Sequence, residues 1–388
     1  MTKVLQDIRV VELGTFITGP CAGMMLADLG ADVIKVEQPG VGDPFRGYQG
    51  AQYSSQFQTY NARKRSLALN LKSPHAKDIL ERLLSQADVL LENYRPGVLD
   101  KLGFGWDAVH QRHPRLVYCS VTGFGQTGPY AGRGGFDLII QAMSGLISTT
   151  GGGAHRPTPI GSAIADQHGA ALFALGIVGA YAKWLTTGQG TRVESSLLAS
   201  GIDLQTESLV TYYAVNGQDS MIDRDDHLGT WFHEAPYGGY EIADGHIAIS
   251  LNPPEKLARA LKSDDIAALI GKNTYFERDI YAKAVAKAVK SWTFFALSEV
   301  FDIEKMWYAR VDNLDDLARN PQVHYNGTFM DFDVMGVPLK LVNHPNRYDG
   351  EGAEITLSSI TAVTVECYST KEIAGIDLKR PAPWARSR

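Results

Sequence analysis

The stretch "IRVVELGTFITGPCAGMMLADLGADVIKVE" (residues 8–37) decides the fold of this chain. It opens with the apolar run "IRVVEL", which is typical of a strand. It continues through "GPCAGMMLADLGA", which predicts a short helix ending at Gly30, and closes with a second strand-like run, "DVIKVE". Two buried strands joined by a helix form a βαβ unit with a right-handed crossover. The stretch therefore predicts a parallel sheet covered by helices.

Similar units follow along the first half of the chain. The runs "RSLALNL" (65–71), "DVLLEN" (88–93) and "RLVYCSVTGFG" (115–125) predict further strands. The segment "SPHAKDILERLLSQA" (73–87) predicts an amphipathic helix with Ser73 as its N-cap and Pro74 at its first position. We therefore predict an α/β fold, in which ligands bind at the carboxyl ends of the strands.

The sequence changes in character from about Leu204. In "GGYEIADGHIAISL" (238–251), the tripeptide "ADG" lies between two strand-like runs, which is a hairpin signal. Charged helical stretches such as "EKLARALKSDDIAALIG" (255–271) come next, and "NLDDLARNPQVHYNGTFMDFDV" (313–334) predicts a helix that leads back to a strand. These patterns indicate a second, smaller α+β domain.

Composition narrows the class of protein. The chain has 388 residues, of which 44% are hydrophobic and 21% charged, so it can bury a large core. Its net charge of −6 argues against a general nucleic-acid surface. We find no membrane-spanning run and no signal-peptide core. Three widely spaced cysteines form neither a disulfide framework nor a metal cluster, so we expect a cytoplasmic protein.

Several familiar catalytic motifs are missing from the sequence. The loop "GTFITGP" (14–20) has neither the Gly-x-Gly-x-x-Gly spacing nor a Gly-Lys-Ser/Thr ending, which argues against a dinucleotide or P-loop site. The chain also has no His-Glu-x-x-His helix for zinc and no Gly-x-Ser-x-Gly elbow for a serine nucleophile. We therefore expect no metal in the site.

Two polar segments are candidates for binding an anionic ligand. One is "NARKRSLALNLK" (61–72), with four cationic residues, and the other is "ENYRPGVLDKLGFGW" (92–106), with Asn93, Tyr94, Arg95 and Lys101. If their strands are neighbours, the cations could meet phosphates and Tyr94 could cover a base. The alternative is a solvated charge cluster, which is the commoner fate of lysine and arginine.

Two aspartates stand at the entrances of apolar helices. Asp166 opens "IADQHGAALFALGIVGAYAKW" (164–184), and Asp137 follows the glycine turn in "RGGFDLIIQAMSGL" (133–146). Helix capping, worth about 1 kcal/mol, is the simplest interpretation of each. The alternative is a pair of carboxylates near one pocket that acts in acid–base catalysis.

Taken together, these stretches resemble the class III CoA-transferases, the family of formyl-CoA and carnitine CoA-transferases. The resemblance runs through residues 8–43, 61–106, 113–151 and 164–198, and "YEIADGHIAI" (240–249) extends it. The last 45 residues depart from the family pattern. The resemblance implies an interlocked homodimer whose subunits each have a Rossmann-like large domain and a small domain. We expect the large domain over residues 1–205 and 325–388 and the small one over 206–324.

The same resemblance assigns roles to individual residues. Asp166 stands in the place of the family's nucleophile, and Asp137 matches an active-site acid. Ile17 replaces a polar glutamine, which implies a less polar acyl pocket. Coenzyme A is the implied cosubstrate, and its expected contacts are Gln38, Leu69, Lys72, Asn93, Tyr94 and Lys101.

The implied reaction moves coenzyme A from an acyl-CoA donor to a carboxylic acid acceptor. It passes through an aspartyl anhydride and an aspartyl-CoA thioester on Asp166. Two alternatives remain: an α-methylacyl-CoA racemase and a non-catalytic acyl-CoA-binding protein. The racemase needs a second base, and Phe136 occupies the position where the related racemases carry a histidine.

Overall fold

The computed structural model describes residues 3–50, 54–334, 336–352 and 363–364, and it contains two compact units. The first comprises the described residues within Met1–Ile140, Ala163–Gly201 and Pro321–Arg388. The second comprises Gln141–Ser162 and Ile202–Asn320. The second unit thus includes residues 141–162, which were expected in the large domain.

Six parallel strands form the main sheet of the first unit. They are β1 (Arg9–Leu13), β2 (Asp32–Glu37), β3 (Arg65–Ala68), β4 (Val89–Glu92), β5 (Val117–Thr122) and β6 (Arg192–Ser196). Their order is β3-β2-β1-β4-β5-β6. The strand order therefore reverses between β1 and β4, as in a doubly wound Rossmann-like sheet, which confirms the predicted α/β fold.

The α-helices are numbered along the chain. They are α1 (Thr18–Asp28), α2 (Ser55–Asn61), α3 (Pro74–Leu84), α4 (Val98–Leu102), α5 (Trp106–Arg112), α6 (Asp137–Met143), α7 (Leu146–Thr149), α8 (Ile164–Thr187), α9 (Leu197–Asp203), α10 (Thr206–Ala214), α11 (Asp219–Ile222), α12 (Pro254–Leu261), α13 (Asp264–Ala267), α14 (Arg278–Val289), α15 (Phe294–Ile303), α16 (Leu314–Arg319) and α17 (Pro321–Tyr325). Pro44–Gly50 and Gly153–His155 form short 3₁₀ helices.

Helices cover both faces of the main sheet. Successive strand residues point to opposite sides, so neighbouring residues of one strand are buried in different core clusters. On β1, Val10 belongs to a core cluster with Leu26 of α1 and Phe173 of α8. Its neighbour Val11 belongs to the cluster on the other face, with Leu80 of α3. A sheet that is covered on both sides explains why its strands are almost entirely apolar. Because the faces are covered, ligands can reach the sheet at the ends of its strands.

Helix α8 is a core helix of the first unit. By length and composition it is the one helix among the described residues that could span a membrane. However, Ala170, Phe173 and Ile177 are buried in the core together with α1. Small residues allow close packing: a Cβ added at Gly169 would lie 3.1 Å from Leu197. Gly169 thus lets α8 approach α9 closely, while Ala170, Phe173 and Ile177 pack in the same core cluster as α1.

The second unit has its own sheet and core. Strands β7 (Gly238–Ile242), β8 (Gly245–Ile249) and β9 (Tyr308–Arg310) form an antiparallel sheet. The connection between β7 and β8 is the predicted "ADG" hairpin. Tyr240, Leu257 and Val285 are members of the buried cluster that joins this sheet to α12 and α14. The unit is therefore a compact α+β structure.

The chain returns to the first unit at α17. Strands β10 (Phe329–Val334) and β11 (Val337–Val342) form a hairpin, and β12 (Arg347–Tyr348) pairs with β13 (Glu351–Gly352). The two-residue strand β14 (Val363–Thr364) adds to the main sheet in parallel beside β3. Most of the divergent last 45 residues lie outside the described part of the chain.

Candidate active site

The two predicted acids meet at the carboxyl edge of the main sheet. Asp166 is the third residue of α8, and Asp137 is the first residue of α6. The Asp137 Oδ1 atom accepts a 3.0 Å hydrogen bond from the backbone N–H of Asp166. Asp137 therefore satisfies one of the N–H groups that the first turn of α8 leaves without a partner inside the helix.

The structure corrects the capping interpretation of Asp166. The N-cap of α8 is Ala163, which makes no side-chain capping bond. The Asp166 carboxylate instead turns toward α1, where its Oδ1 atom accepts a hydrogen bond from the Thr18 hydroxyl. The first turn of α8 is instead capped from α6, because the Asp137 carboxylate accepts a hydrogen bond from the backbone N–H of Asp166. The Asp166 carboxylate is thus available for chemistry rather than bound to its own helix.

Burial sets the protonation of Asp166. Its side chain is 7% exposed, and this desolvation raises its pKa to about 6. The hydrogen bond from Thr18 opposes the rise, and the nearby negative charge of Asp137 adds to it. With a pKa of about 6, roughly nine-tenths of Asp166 is ionised at pH 7. The site therefore holds a desolvated carboxylate that remains charged.

The loop between β1 and α1 presents Thr18 to Asp166. The side-chain amide of Asn93 accepts from the Thr15 N–H and donates to the Thr15 carbonyl, both at 2.8 Å. Phe16 has a positive φ of 62°, which is costly for a residue with a bulky side chain. Its N–H reaches the Asp43 carboxylate at 3.4 Å. The loop is therefore held in one strained conformation.

A buried charge network lies directly behind this loop. Lys35 Nζ contacts Glu12 at 3.0 Å and Asp43 at 2.9 Å, and it donates to the Gly14 carbonyl at 2.6 Å. Lys64 Nζ contacts the other Glu12 oxygen at 2.7 Å and donates to the Pro20 carbonyl, also at 2.7 Å. Two carboxylates and two ammonium groups neutralise each other and fix both ends of the loop.

This network corrects both interpretations of the basic run at residues 61–72. Three of its cations form ion pairs within the fold: Arg63 with Asp28, Lys64 with Glu12, and Arg65 with Asp32. Arg63 and Lys64 are buried, so they neither line a phosphate site nor form a solvated cluster. Lys72 is the exposed cation of the run.

The carboxylate faces a cavity of about 260 Å³ at the point where the strand order reverses. Phe16 and Phe136 form part of its wall, with ring centroids 5.8 Å apart in an edge-to-face arrangement. Two cations, Arg95 and Arg133, also line it. The lining residues are Thr15, Phe16, Ile17, Thr18, Asn93, Tyr94, Arg95, Pro96, Val121, Thr122, Gly123, Arg133, Gly134, Gly135, Phe136, Asp166 and Leu197.

Both arginines lack a carboxylate partner among the residues that the structure describes. The Arg133 guanidinium lies 5.0 Å from the ring centroid of Tyr130 and 5.9 Å from that of Phe124. Stacking on aromatic rings restrains the orientation of a guanidinium without using its hydrogen-bond donors. Arg133 can therefore offer all its N–H groups to an anion in the cavity.

The expected coenzyme contacts all follow strands of the main sheet. Asn93 and Tyr94 line the cavity together with Asp166. Gln38 and Leu69 come directly after β2 and β3, and Lys72 and Lys101 are exposed residues of the segments that follow β3 and β4. These four residues lie outside the cavity lining, and their role in coenzyme binding stays a prediction.

Sequence reasoning missed Thr18 and Arg133. Thr18 is 148 residues from Asp166, and the sequence around it, "GTFITGP", shows no motif beyond its glycines. Arg133 appeared only as part of a glycine-rich turn. Among the described residues there is no group of three or more His, Cys, Asp or Glu side chains placed to hold a metal ion.

Comparisons with known proteins show which family this chain resembles over most of its length. The sequence model described as CoA-transferase family III matches residues 5–359. Succinyl-CoA–D-citramalate CoA-transferase from Chloroflexus aurantiacus is 34% identical over 298 residues, covering 75% of this chain and 73% of that protein. Succinyl-CoA:mesaconate CoA-transferase from Haloarcula hispanica is 33% identical over 364 residues, covering 87% and 90%. The crystal structure of a CAIB/BAIF family protein from Brucella suis is 28% identical, with a TM-score of 0.77 over 92% of this chain and 96% of that chain.

Proposed function

The chain belongs to CoA-transferase family III, and we propose that it moves coenzyme A from succinyl-CoA to a small dicarboxylic acid through covalent adducts of Asp166. It is an acyl-CoA:carboxylate CoA-transferase. The observation that carries the proposed mechanism is the Asp166 carboxylate, which is desolvated, largely ionised and part of the cavity wall. These are the properties of an oxygen nucleophile.

The first half of the reaction frees the donor acid. The Asp166 carboxylate attacks the thioester carbonyl carbon, and the C–S bond breaks to give an acyl-aspartyl anhydride and the CoA thiolate. The thiolate then attacks the aspartyl carbonyl carbon of the anhydride. The donor leaves as its carboxylate, and coenzyme A remains joined to Asp166 as a thioester.

The second half repeats these steps in reverse with the acceptor acid. The acceptor carboxylate attacks the aspartyl thioester, releasing the thiolate and forming a second anhydride. The thiolate then attacks the acceptor's acyl carbon, which yields the new acyl-CoA and the free Asp166 carboxylate. One activated acyl group replaces another of similar energy, so the sequence needs no ATP.

The surroundings of Asp166 suit a weak nucleophile. A carboxylate attacks slowly unless it is held in position, and orientation is worth several kcal/mol. Thr18 and the backbone N–H bonded to Asp137 restrain Asp166 at both its carboxylate and its backbone. The aromatic rings of Phe16 and Phe136 border the cavity and reduce the access of water to the reactive anhydrides.

The cavity supports a dicarboxylate substrate. Succinate, D-citramalate and mesaconate, the acids in the names of the two relatives, each carry two carboxyl groups. One carboxyl group reacts at Asp166, so the other needs a cationic partner. Arg133 is oriented by its aromatic neighbours and lines the cavity, and Arg95 adds a second positive charge. We therefore assign the distal carboxylate to Arg133.

Transfer from succinyl-CoA to a panel of acids tests this assignment. We expect the wild type to prefer C4 and C5 dicarboxylates over monocarboxylates of equal length. Arg133→Gln is expected to lower kcat/KM for dicarboxylates by about 10- to 100-fold, because a charge-assisted hydrogen bond contributes roughly 1.5–3 kcal/mol. Its kcat/KM for butyrate is expected to stay within about threefold of the wild type, since one lost hydrogen bond cannot affect an acid that does not make it.

The matched control is Arg115→Gln. Arg115 is another exposed arginine stacked on an aromatic ring, that of Trp184, but it lies outside the cavity lining. We expect this variant to match the wild type on every acid. If Arg133→Gln lowers kcat/KM equally for mono- and dicarboxylates, Arg133 does not bind the distal carboxylate. Incorporation of solvent deuterium at the α-carbon without CoA transfer would instead indicate the racemase.

The raised pKa of Asp166 predicts a pH dependence. The reactive form is the carboxylate, so kcat/KM for succinyl-CoA should be constant well above the pKa of about 6 and fall as the pH drops through it. Below that pKa the expected decline is about tenfold for each pH unit. Initial rates measured in buffers of constant ionic strength test this, and an unchanged rate down to pH 5 would contradict it.

A further inference from the structure

We propose that the Thr18 hydroxyl is the oxyanion donor for the two tetrahedral intermediates that form on the carboxyl carbon of Asp166. This role rests on the covalent mechanism proposed above. It goes beyond that mechanism because it assigns a chemical task to one side chain in two of the four steps. It also separates those two steps from the other two by experiment.

The geometry distinguishes the two carboxylate oxygens of Asp166. Thr18 is the first residue of α1, is 5% exposed, and donates its hydroxyl proton to Oδ1. The Oδ2 atom accepts no hydrogen bond from the residues that the structure describes. The oxygen without a donor keeps its lone pairs available, so Oδ2 is the attacking atom.

The fate of each oxygen then follows from the electron movements. When Oδ2 attacks the donor acyl carbon, it becomes the bridging oxygen of the anhydride, and Oδ1 remains as the aspartyl carbonyl oxygen. When the CoA thiolate adds to the aspartyl carbon, the carbonyl electron pair moves onto Oδ1. The intermediate collapses by reforming this carbonyl and breaking the bond from carbon to Oδ2, which leaves with the donor carboxylate.

The same atom carries the charge in the third step. The acceptor carboxylate adds to the aspartyl thioester, the electron pair again moves onto Oδ1, and collapse expels the thiolate. In steps one and four the oxyanion forms on the acyl carbon of the substrate instead, away from Oδ1. The Thr18 hydroxyl therefore contacts the developing charge in steps two and three alone.

The hydrogen bond is stronger in these intermediates than in the resting carboxylate. The resting negative charge is shared by Oδ1 and Oδ2, whereas each tetrahedral intermediate places a full charge on Oδ1. Only an interaction that strengthens toward the transition state increases the rate. Loss of one oxyanion donor typically lowers kcat by about 10²–10³-fold.

The position of Thr18 is fixed before the reaction begins. Asn93 holds Thr15 on one side of it, and Lys64 holds Pro20 on the other. The residue is also part of α1, which packs against α8. A donor that needs no rearrangement is the arrangement that stabilises an oxyanion most effectively.

The test compares the wild type with Thr18→Val and Thr18→Ser. Valine keeps the shape of threonine and removes the hydroxyl, whereas serine keeps the hydroxyl. Each enzyme is mixed with succinyl-CoA without acceptor at pH 8, where Asp166 is ionised, and the reaction is stopped by acid at increasing times. Intact-protein mass spectrometry then measures the anhydride and the thioester adducts separately.

In Thr18→Val we expect the anhydride to build up, with its ratio to the thioester at least about tenfold above the wild-type value early in the reaction and kcat about 10²-fold lower. Thr18→Ser should stay within about threefold of the wild type, since it retains the donor. An unchanged adduct ratio in Thr18→Val, with or without a lower rate, would overturn this role. If the wild type forms neither adduct, the proposed function itself fails.

Discussion

Replacing Asp166 by asparagine is expected to lower kcat for CoA transfer by at least about 10⁴-fold, which is the scale seen when a covalent nucleophile is removed. The side-chain amide of asparagine is not nucleophilic at its oxygen, so neither the anhydride nor the thioester can form. The amide still accepts a hydrogen bond from Thr18 and fills the same space. The loss therefore isolates the chemistry of the carboxylate, and initial-rate assays with succinyl-CoA and a dicarboxylate measure it.

Two further variants make this result decisive. Asp166→Ala excludes activity regained by slow deamidation of the asparagine. Asp78→Asn makes the same change on the exposed face of α3, away from the cavity, and should behave as the wild type. Circular dichroism and the affinity for coenzyme A should stay unchanged in the variants. Transfer by Asp166→Ala at more than a hundredth of the wild-type rate would rule out this residue as the nucleophile.

Glu12→Gln is expected to lower the free energy of unfolding by about 3–5 kcal/mol, because it leaves buried cations without their partner. Glu12 lies between Lys35 and Lys64, and all three side chains are fully buried. Removing its charge changes the network from neutral to a net charge of +1. Burial already lowers the pKa of Lys64 to about 8, with the nearby Glu12 charge opposing that fall. Without Glu12 the pKa of Lys64 should fall further.

Urea unfolding measures this loss, and an exposed ion pair provides the control. Lys287 and Asp265 lie 2.6 Å apart on the surface, where solvent screens their attraction. Asp265→Asn should leave the urea midpoint unchanged. If Glu12→Gln and Asp265→Asn unfold at the same urea concentration, the buried network does not stabilise the fold. The Gly14–Pro20 loop would then need another explanation for its fixed position.

The sequence predicts most strands of the main sheet, because each strand is marked by a short apolar run that can be recognised locally. Apolar strand runs and a helix that begins at "SPHA" are visible in segments of 5–15 residues, and the structure has them as β1 to β5 and α3. The connection rules for parallel sheets predict the right-handed crossovers but not the strand order, in which β2 and β1 lie between β3 and β4. Contacts between distant elements cannot be predicted in this way. In the strand "IRVVEL", Glu12 looks like an ordinary polar residue, yet it pairs with Lys35 and Lys64 on other elements.

The sequence draws attention to two acids, which the structure places next to each other, but it does not reveal their other contacts. Asp166 and Asp137 stand out because a charge precedes an apolar helix, and they prove to be neighbours. The hydroxyl that contacts Asp166 comes from Thr18, far away in the chain, and a single threonine in a glycine-containing loop gives no signal. The prediction for the basic run at residues 61–72 was wrong for the same reason. Its arginines and Lys64 pair with acids such as Asp28, which are distant in the sequence and which local patterns do not reveal.

The proposed mechanism depends on one covalent event at Asp166, and mass spectrometry of the trapped enzyme detects that event directly. The wild type is incubated with succinyl-CoA and hydroxylamine, digested, and its peptides are compared with those of untreated enzyme. We predict a hydroxamate on Asp166, in the peptide that begins α8, and none on Asp137. An unmodified Asp166 in enzyme that is actively transferring coenzyme A would contradict the account.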